Sequence, residues 1–191
     1  MKNKTRWVVV GLVLIIALYV GLTYNSLVRA GNSADVQWAQ VETVYQRRFD
    51  LIPNLVASVK GVFVQEQTIF GEIAEARTRY AAAVSNQAPV GERVAAANQV
   101  EGSLARLLVI MENYPALRSV ETVQNLMVQL EGSENRISVE RNRYNEIVGI
   151  YNLKTKTFPS LIVASIFGFE AKELFQAETG AEKAPPVDLA N

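Results

Sequence analysis

Between Trp7 and Tyr24 the chain carries no charged side chain, and Lys2, Lys4 and Arg6 stand directly before that run. At about 1.5 Å per helical residue it reaches roughly 27 Å, close to the hydrocarbon thickness of a bilayer. Such a segment constrains everything downstream, because the domain that follows is delivered to a membrane surface. A secretory signal peptide is the competing reading, with Val28-Arg29-Ala30 as a loose cleavage site. The run exceeds the usual signal core of roughly 7–15 residues and lacks Ala-x-Ala at the expected place, so a retained anchor is expected. The chain has no cysteine, which closes the lipoprotein route. The N-terminal flank holds three cations and the first stretch after the span only Arg29. The positive-inside rule then leaves the N-terminus in the cytoplasm and the bulk of the chain outside, with the lipid bilayer contacted through residues 7–24.

Beyond the anchor lie roughly 165 residues, enough for one domain. Lysine plus arginine equals aspartate plus glutamate, 19 of each, so no net charge favours nucleic acid. The sequence also lacks histidine. Without Cys and His there is no thiol nucleophile, no Ser–His or Cys–His pair and no ordinary zinc or haem site, so neither catalytic, metal nor cofactor-binding residues are expected. The domain is not an enzyme on this reading, and it must hold together by packing alone.

That packing pattern is helical. From Trp38 the chain steps by threes and fours through Val41, Tyr45, Arg48, Ile52, Leu55, Val59, Val62, Glu66, Ile69, Ile73, Ala76 and Tyr80. This is a heptad seam of about six repeats, interrupted by Arg48 and Glu66. A second seam runs from Val120 through Val123, Met127, Leu130, Glu134, Ile137, Arg141, Tyr144, Val148, Tyr151 and Thr155 to Phe158. A shorter helix, about Glu92 to Asn113, lies between them. No segment alternates with period two. The expectation is an all-α fold, an N-terminal transmembrane helix followed by an antiparallel helical bundle (residues 25–176) with long heptad-patterned helices.

The boundaries have local causes. Residues 85–91 are polar and contain Pro89 and Gly91, which predicts a turn. Pro115 and Pro159 end the helices that precede them. Asp50 could cap a new helix with Pro53 in its first turn, but the heptad phase passes through Ile52 and Leu55 without a slip, which favours one long helix kinked at Pro53. Residues 177–191, with Pro185 and Pro186, have little to bury and read as a disordered tail.

The motifs resemble the LemA family. Trp38 and the run Arg47-Arg48-Phe49-Asp50-Leu51-Ile52-Pro53-Asn54-Leu55-Val56 look like its signature, and the likeness continues through Val59-Lys60-Gly61, Glu112-Asn113-Tyr114-Pro115 and Glu134-Asn135-Arg136-Ile137. It resumes at Arg141, Arg143-Tyr144-Asn145, Tyr151-Asn152, Phe158-Pro159 and Ile166-Phe167-Gly168-Phe169; Leu174-Phe175 stands where the family pattern has Tyr-Phe. The resemblance implies a bacterial, single-span membrane protein with a helical domain and no assigned enzymatic activity. A related branch takes part in magnetosome membrane formation.

Several residues invite a functional reading beside a structural one. Arg48, Glu66, Glu134 and Arg141 occupy seam positions where leucine would pack better. They either form a charged layer that fixes register or dock a partner; long side chains at bundle edges can also reach water while burying their stems. Any that are buried should pair across helices, since unpaired buried charge is costly. Asp50, Pro53 and Asn54 read as a cap and kink before they read as a functional loop. Tyr144-Asn145 and Tyr151-Asn152 repeat a pair seven residues apart, the tyrosines packing in the seam and the asparagines reaching neighbouring carbonyls. The segment 158–169, with Phe158, Phe167 and Phe169, is too apolar for a solvated connection and too short to span a bilayer. It either covers one end of the bundle or presents an apolar patch to lipid or a second copy. The sequence therefore points to a non-enzymatic membrane-anchored scaffold or adaptor that self-associates as a homo-oligomer. A regulatory module bound to a membrane protease or envelope-stress system, and so to a membrane-protein partner, is the alternative.

Overall fold

The structure, a computed structural model, describes residues 2–62, 66–118 and 120–175, and among these it is all helical with no strand. Six helices follow in order: α1 (Lys2–Val59), α2 (Gln67–Ser85), α3 (Val90–Glu112), α4 (Pro115–Arg118), α5 (Glu121–Lys156) and α6 (Ser160–Phe167). The segment read as a disordered tail lies outside the described residues.

The 58 residues of α1 form one uninterrupted helix. Pro53 sits inside it, on the exposed face, where the lost N–H and the ring's demand on the carbonyl one turn back fall on the solvent side. Asp50 caps no new helix: it accepts a hydrogen bond from Gln46 Nε2 at 2.8 Å, one turn back on the same helix. The seam expected to run from Trp38 to Tyr80 in one helix is instead shared by two. α1 stops at Val59, Lys60 to Val62 form a turn, and Val62 is exposed rather than in the seam. Gly61, with the least helix-favouring side chain after proline, stands at the break. The apolar positions were nevertheless the right ones, for Ile69, Ile73, Ala76 and Tyr80 are all buried on α2.

The four long helices run up, down, up and down. α2 returns along α1, so that Tyr80 near its end meets Phe49 edge-on with ring centroids 4.9 Å apart. α3 begins beside Trp38 and Glu42 and climbs back, α4 turns the corner, and α5 descends along α1. The core threads all four helices through residues including Tyr45, Ile52, Leu55, Leu104, Leu107, Ile137 and Tyr144. The α2–α3 hairpin ends near Trp38, while α1 and α5 continue below it as a two-helix stem. There Gly31 faces Tyr151 of α5, whose ring a Cβ at that position would meet at 3.4 Å, about van der Waals contact.

Below the stem α5 ends at Lys156, with Lys154 and Lys156 favourably placed at its carboxyl end. α6 then turns back against α1. Val163, Ala164 and Leu27 form a small core of their own with Val20 and Phe169 around it. Gly168 closes α6 in the left-handed region at φ 72°, a conformation glycine adopts without cost, and the next amide reaches back to Ala164 O at 2.9 Å.

Candidate functional site

Three arrangements stand out along the α1–α5 pair. In the four-helix section Arg48 is buried, and its guanidinium meets Glu101 of α3 (Nη2 to Oε2, 2.9 Å) and Glu134 of α5, while also donating to the Leu130 carbonyl. One turn below, Arg141 donates to the Tyr45 hydroxyl from both Nε and Nη2, with its guanidinium carbon 5.2 Å from that ring's centre. These contacts answer the seam charges across helices. The seam cations on α1 and α5 are thus each held by a group on the other helix. Glu66, by contrast, is half-buried at the start of α2 and takes no part in this layer.

Glu101 stands out in neither of the two seams, because it lies on the intervening helix, one position beyond the buried Val100. Its carboxyl is pushed up to about 7: burial raises it, and the attraction of Arg48 offsets only part of that. Its second oxygen has no hydrogen-bond partner among the described residues. The only available signal was general: an arginine buried in the α1 seam calls for an acceptor on a neighbouring helix.

The second arrangement is a strap. After α6 the chain runs extended from Phe169 to Phe175 and climbs back up the stem. Asn152 donates to the Lys172 carbonyl and accepts from the Lys172 amide, both at 2.8 Å. Asn145 repeats this with Phe175, donating at 3.0 Å and accepting at 2.8 Å. Two helical turns rise about 10.5 Å and three extended residues about 10 Å, so asparagines seven apart on α5 match backbone groups three apart on the strap. The side-chain amides thereby stand in for a neighbouring strand. Lys172 adds an ion pair to Asp35 of α1 at 2.6 Å, and Phe175 stacks on Trp38 with centroids 5.4 Å apart. Tyr144 lies beneath, its ring edge-on to Trp38 and its hydroxyl donating to the Glu173 carbonyl; burial pushes that hydroxyl up to about 12.

The third arrangement is the base. Tyr24 of α1 is flanked edge-on by Phe167 and Phe169, at 4.9 and 5.6 Å between centroids. Around this contact apolar side chains face outward: Phe158 is 79 % exposed, Ile166 70 % and Ile162 52 %. The uncharged stretch of α1 leads away from here, with a mean hydropathy of 2.3 over its most apolar window and none of that window buried. Among the described residues one helix is therefore long and apolar enough to cross a membrane. Of the residues singled out from sequence, Arg48, Glu134 and Arg141 cluster in the charged layer and Tyr144 lies under the strap. Phe167 and Phe169 stand at the base, and Asp50, Pro53 and Asn54 line the exposed face of α1. Among the described residues no three His, Cys, Asp or Glu side chains are grouped to hold a metal ion.

Magnetosome protein MamQ 2 and Magnetosome protein MamQ 1 of Paramagnetospirillum magneticum are each 26 % identical over 184 residues, covering 84 % of this chain and 67 % of the relative. Magnetosome protein MamQ of Magnetospirillum gryphiswaldense is 25 % identical over the same coverage. The model of the LemA family matches residues 37–189, from just before Trp38 through the bundle and strap, and this chain belongs to the LemA family.

Proposed function

We propose that this protein is a non-enzymatic scaffold of the bacterial cytoplasmic membrane, single-pass with residues 7–24 as its span, its N-terminus inside and its bundle outside. The observation that carries this reading is the continuity of α1, which passes from a bare apolar segment into the core of the bundle with no linker between. A bundle so mounted is held at the bilayer in one orientation, which raises its effective concentration for anything else confined there. The exposed apolar side chains of α6, beside Tyr24, supply a surface through which copies associate at that level. The relatives named as magnetosome proteins support a role in ordering a membrane or the proteins in it.

The test is the mass of the full-length protein in a mild detergent, measured by light scattering with the detergent contribution subtracted. A discrete multimer that Phe167→Ala and Phe169→Ala reduce to monomer is the expected result. A clean monomer overturns self-assembly and leaves the regulatory module, which co-purification from native membranes would then reveal.

A further inference from the structure

The α1–α5 stem has two flanks. The strap fills one; the other holds an open cleft of about 540 Å³, within the roughly 300–1,000 Å³ typical of ligand sites. Successive residues on a helix are about 100° apart, so Ile147, Ile150 and Lys154 of α5 lie away from Asn145 and Asn152, across the α1-facing seam. The cleft is divided by chemistry along its length. Leu22, Ile147 and Ile150 give it apolar walls, while Arg29 and Lys154 bring two cations to it. No carboxylate lines it, and Lys154 is held in place by donating to Ser26 Oγ at 2.9 Å. Arg29 has no ion-pair partner among the described residues, unlike Arg48 and Arg93, which are answered by carboxylates.

Height decides what fits. Trp7 and Tyr24 mark the two ends of the uncharged run, where amphipathic rings sit at membrane interfaces. Arg29 lies five residues further along α1, about 7.5 Å higher, within the polar layer that flanks the hydrocarbon. Leu22 is on the hydrocarbon side of that boundary. A ligand spanning both needs an anionic head and an apolar tail.

We infer that this cleft binds an anionic phospholipid, its phosphate held by Arg29 and Lys154 and the start of an acyl chain lying along Leu22 and Ile150. The inference rests on the membrane reading above. The lipid fills the flank that the strap leaves open and ties the stem to the leaflet on the bundle's side.

The test uses the full-length protein in liposomes and in detergent. Sedimentation with phosphatidylcholine vesicles first checks insertion. Native mass spectrometry then counts phosphatidylglycerol retained after mixing with phosphatidylcholine. The wild-type chain is expected to retain one phosphatidylglycerol in preference. Arg29→Gln with Lys154→Gln should weaken that retention by roughly 10- to 30-fold, since each cation near an anionic surface contributes about fivefold. Ala30→Phe keeps both charges but fills the cleft, and it should abolish the preference too. Equal retention of the two lipids, or a preference that survives Ala30→Phe, overturns the site while leaving the membrane reading intact. A chain that fails to sediment with vesicles overturns both. Circular dichroism of each variant confirms that the helices are retained.

Discussion

In the four-helix section Arg48 is buried and meets two carboxylates, whereas lower on the same helix Arg29 faces a cleft lined by none. The apolar residues divide in the same way. Leu55, Leu104 and Ile137 are sealed in the core, while Ile162, Ile166 and Phe158 at the base stand in the open. In the upper region Arg48 and Glu101 are both largely withdrawn from water, so removing either leaves the other short of its main partner. The lower region leaves two cations and several apolar side chains facing outward. The contrast separates the residues packed within the bundle from those that remain exposed below it.

Arg48→Ala tests the upper half and carries the largest expected effect. It leaves Glu101 in the core without its cation, and loss of one partner of a buried pair costs about 3–5 kcal/mol. Thermal or urea unfolding followed by circular dichroism measures it, and a loss below about 1 kcal/mol would show that water reaches the layer. The Glu101 carboxyl gives a smaller, pH-dependent signature. With its folded value raised from the usual 4.5 to about 7, the native chain binds this proton more tightly than the unfolded one. Its contribution therefore favours folding most below pH 4.5, declines as the pH rises towards 7 and is level above that. The change is on the order of 1–3 kcal/mol. Urea midpoints from pH 5 to 8 read the slope, which Glu101→Gln should flatten while its amide oxygen still accepts from Arg48. The smallest effect belongs to the base: Ile166→Ser should alter unfolding stability by no more than about 0.5 kcal/mol, because the side chain has little protein to pack against. A larger loss would mean that α6 belongs to the structural half after all.

The seams show which features a one-dimensional pattern can carry. Burial recurs with the helical period, so the positions of Trp38, Tyr45, Ile52, Ile73, Tyr80, Val123, Ile137 and Tyr144 in the core are legible in the sequence alone. The break after Val59 was not, because the α2 seam resumes in the phase that α1 left, and only Gly61 hinted at a turn. Arg48, Glu134 and Arg141 announced themselves as exceptions to the pattern, yet their partners Glu101 and Tyr45 depend on which helices become neighbours. The strap was the least accessible. An extended run such as 169–175 has no period of its own, and its place is dictated by Asn145 and Asn152 across a distance in sequence that pattern reading does not bridge.

The unbroken α1 has a mechanical consequence. A flexible hinge between two domains absorbs twist; a helix transmits it, at about 100° and 1.5 Å per residue. Adding one residue to the apolar segment would therefore swing the bundle, its strap and its open flank to a new compass bearing relative to that segment. Adding seven would restore the bearing to within about 20° while lifting the bundle by about 10.5 Å. The protein is in this sense a keyed shaft, and the length of its apolar segment sets the direction in which the bundle faces relative to the start of that segment, as well as its distance from it.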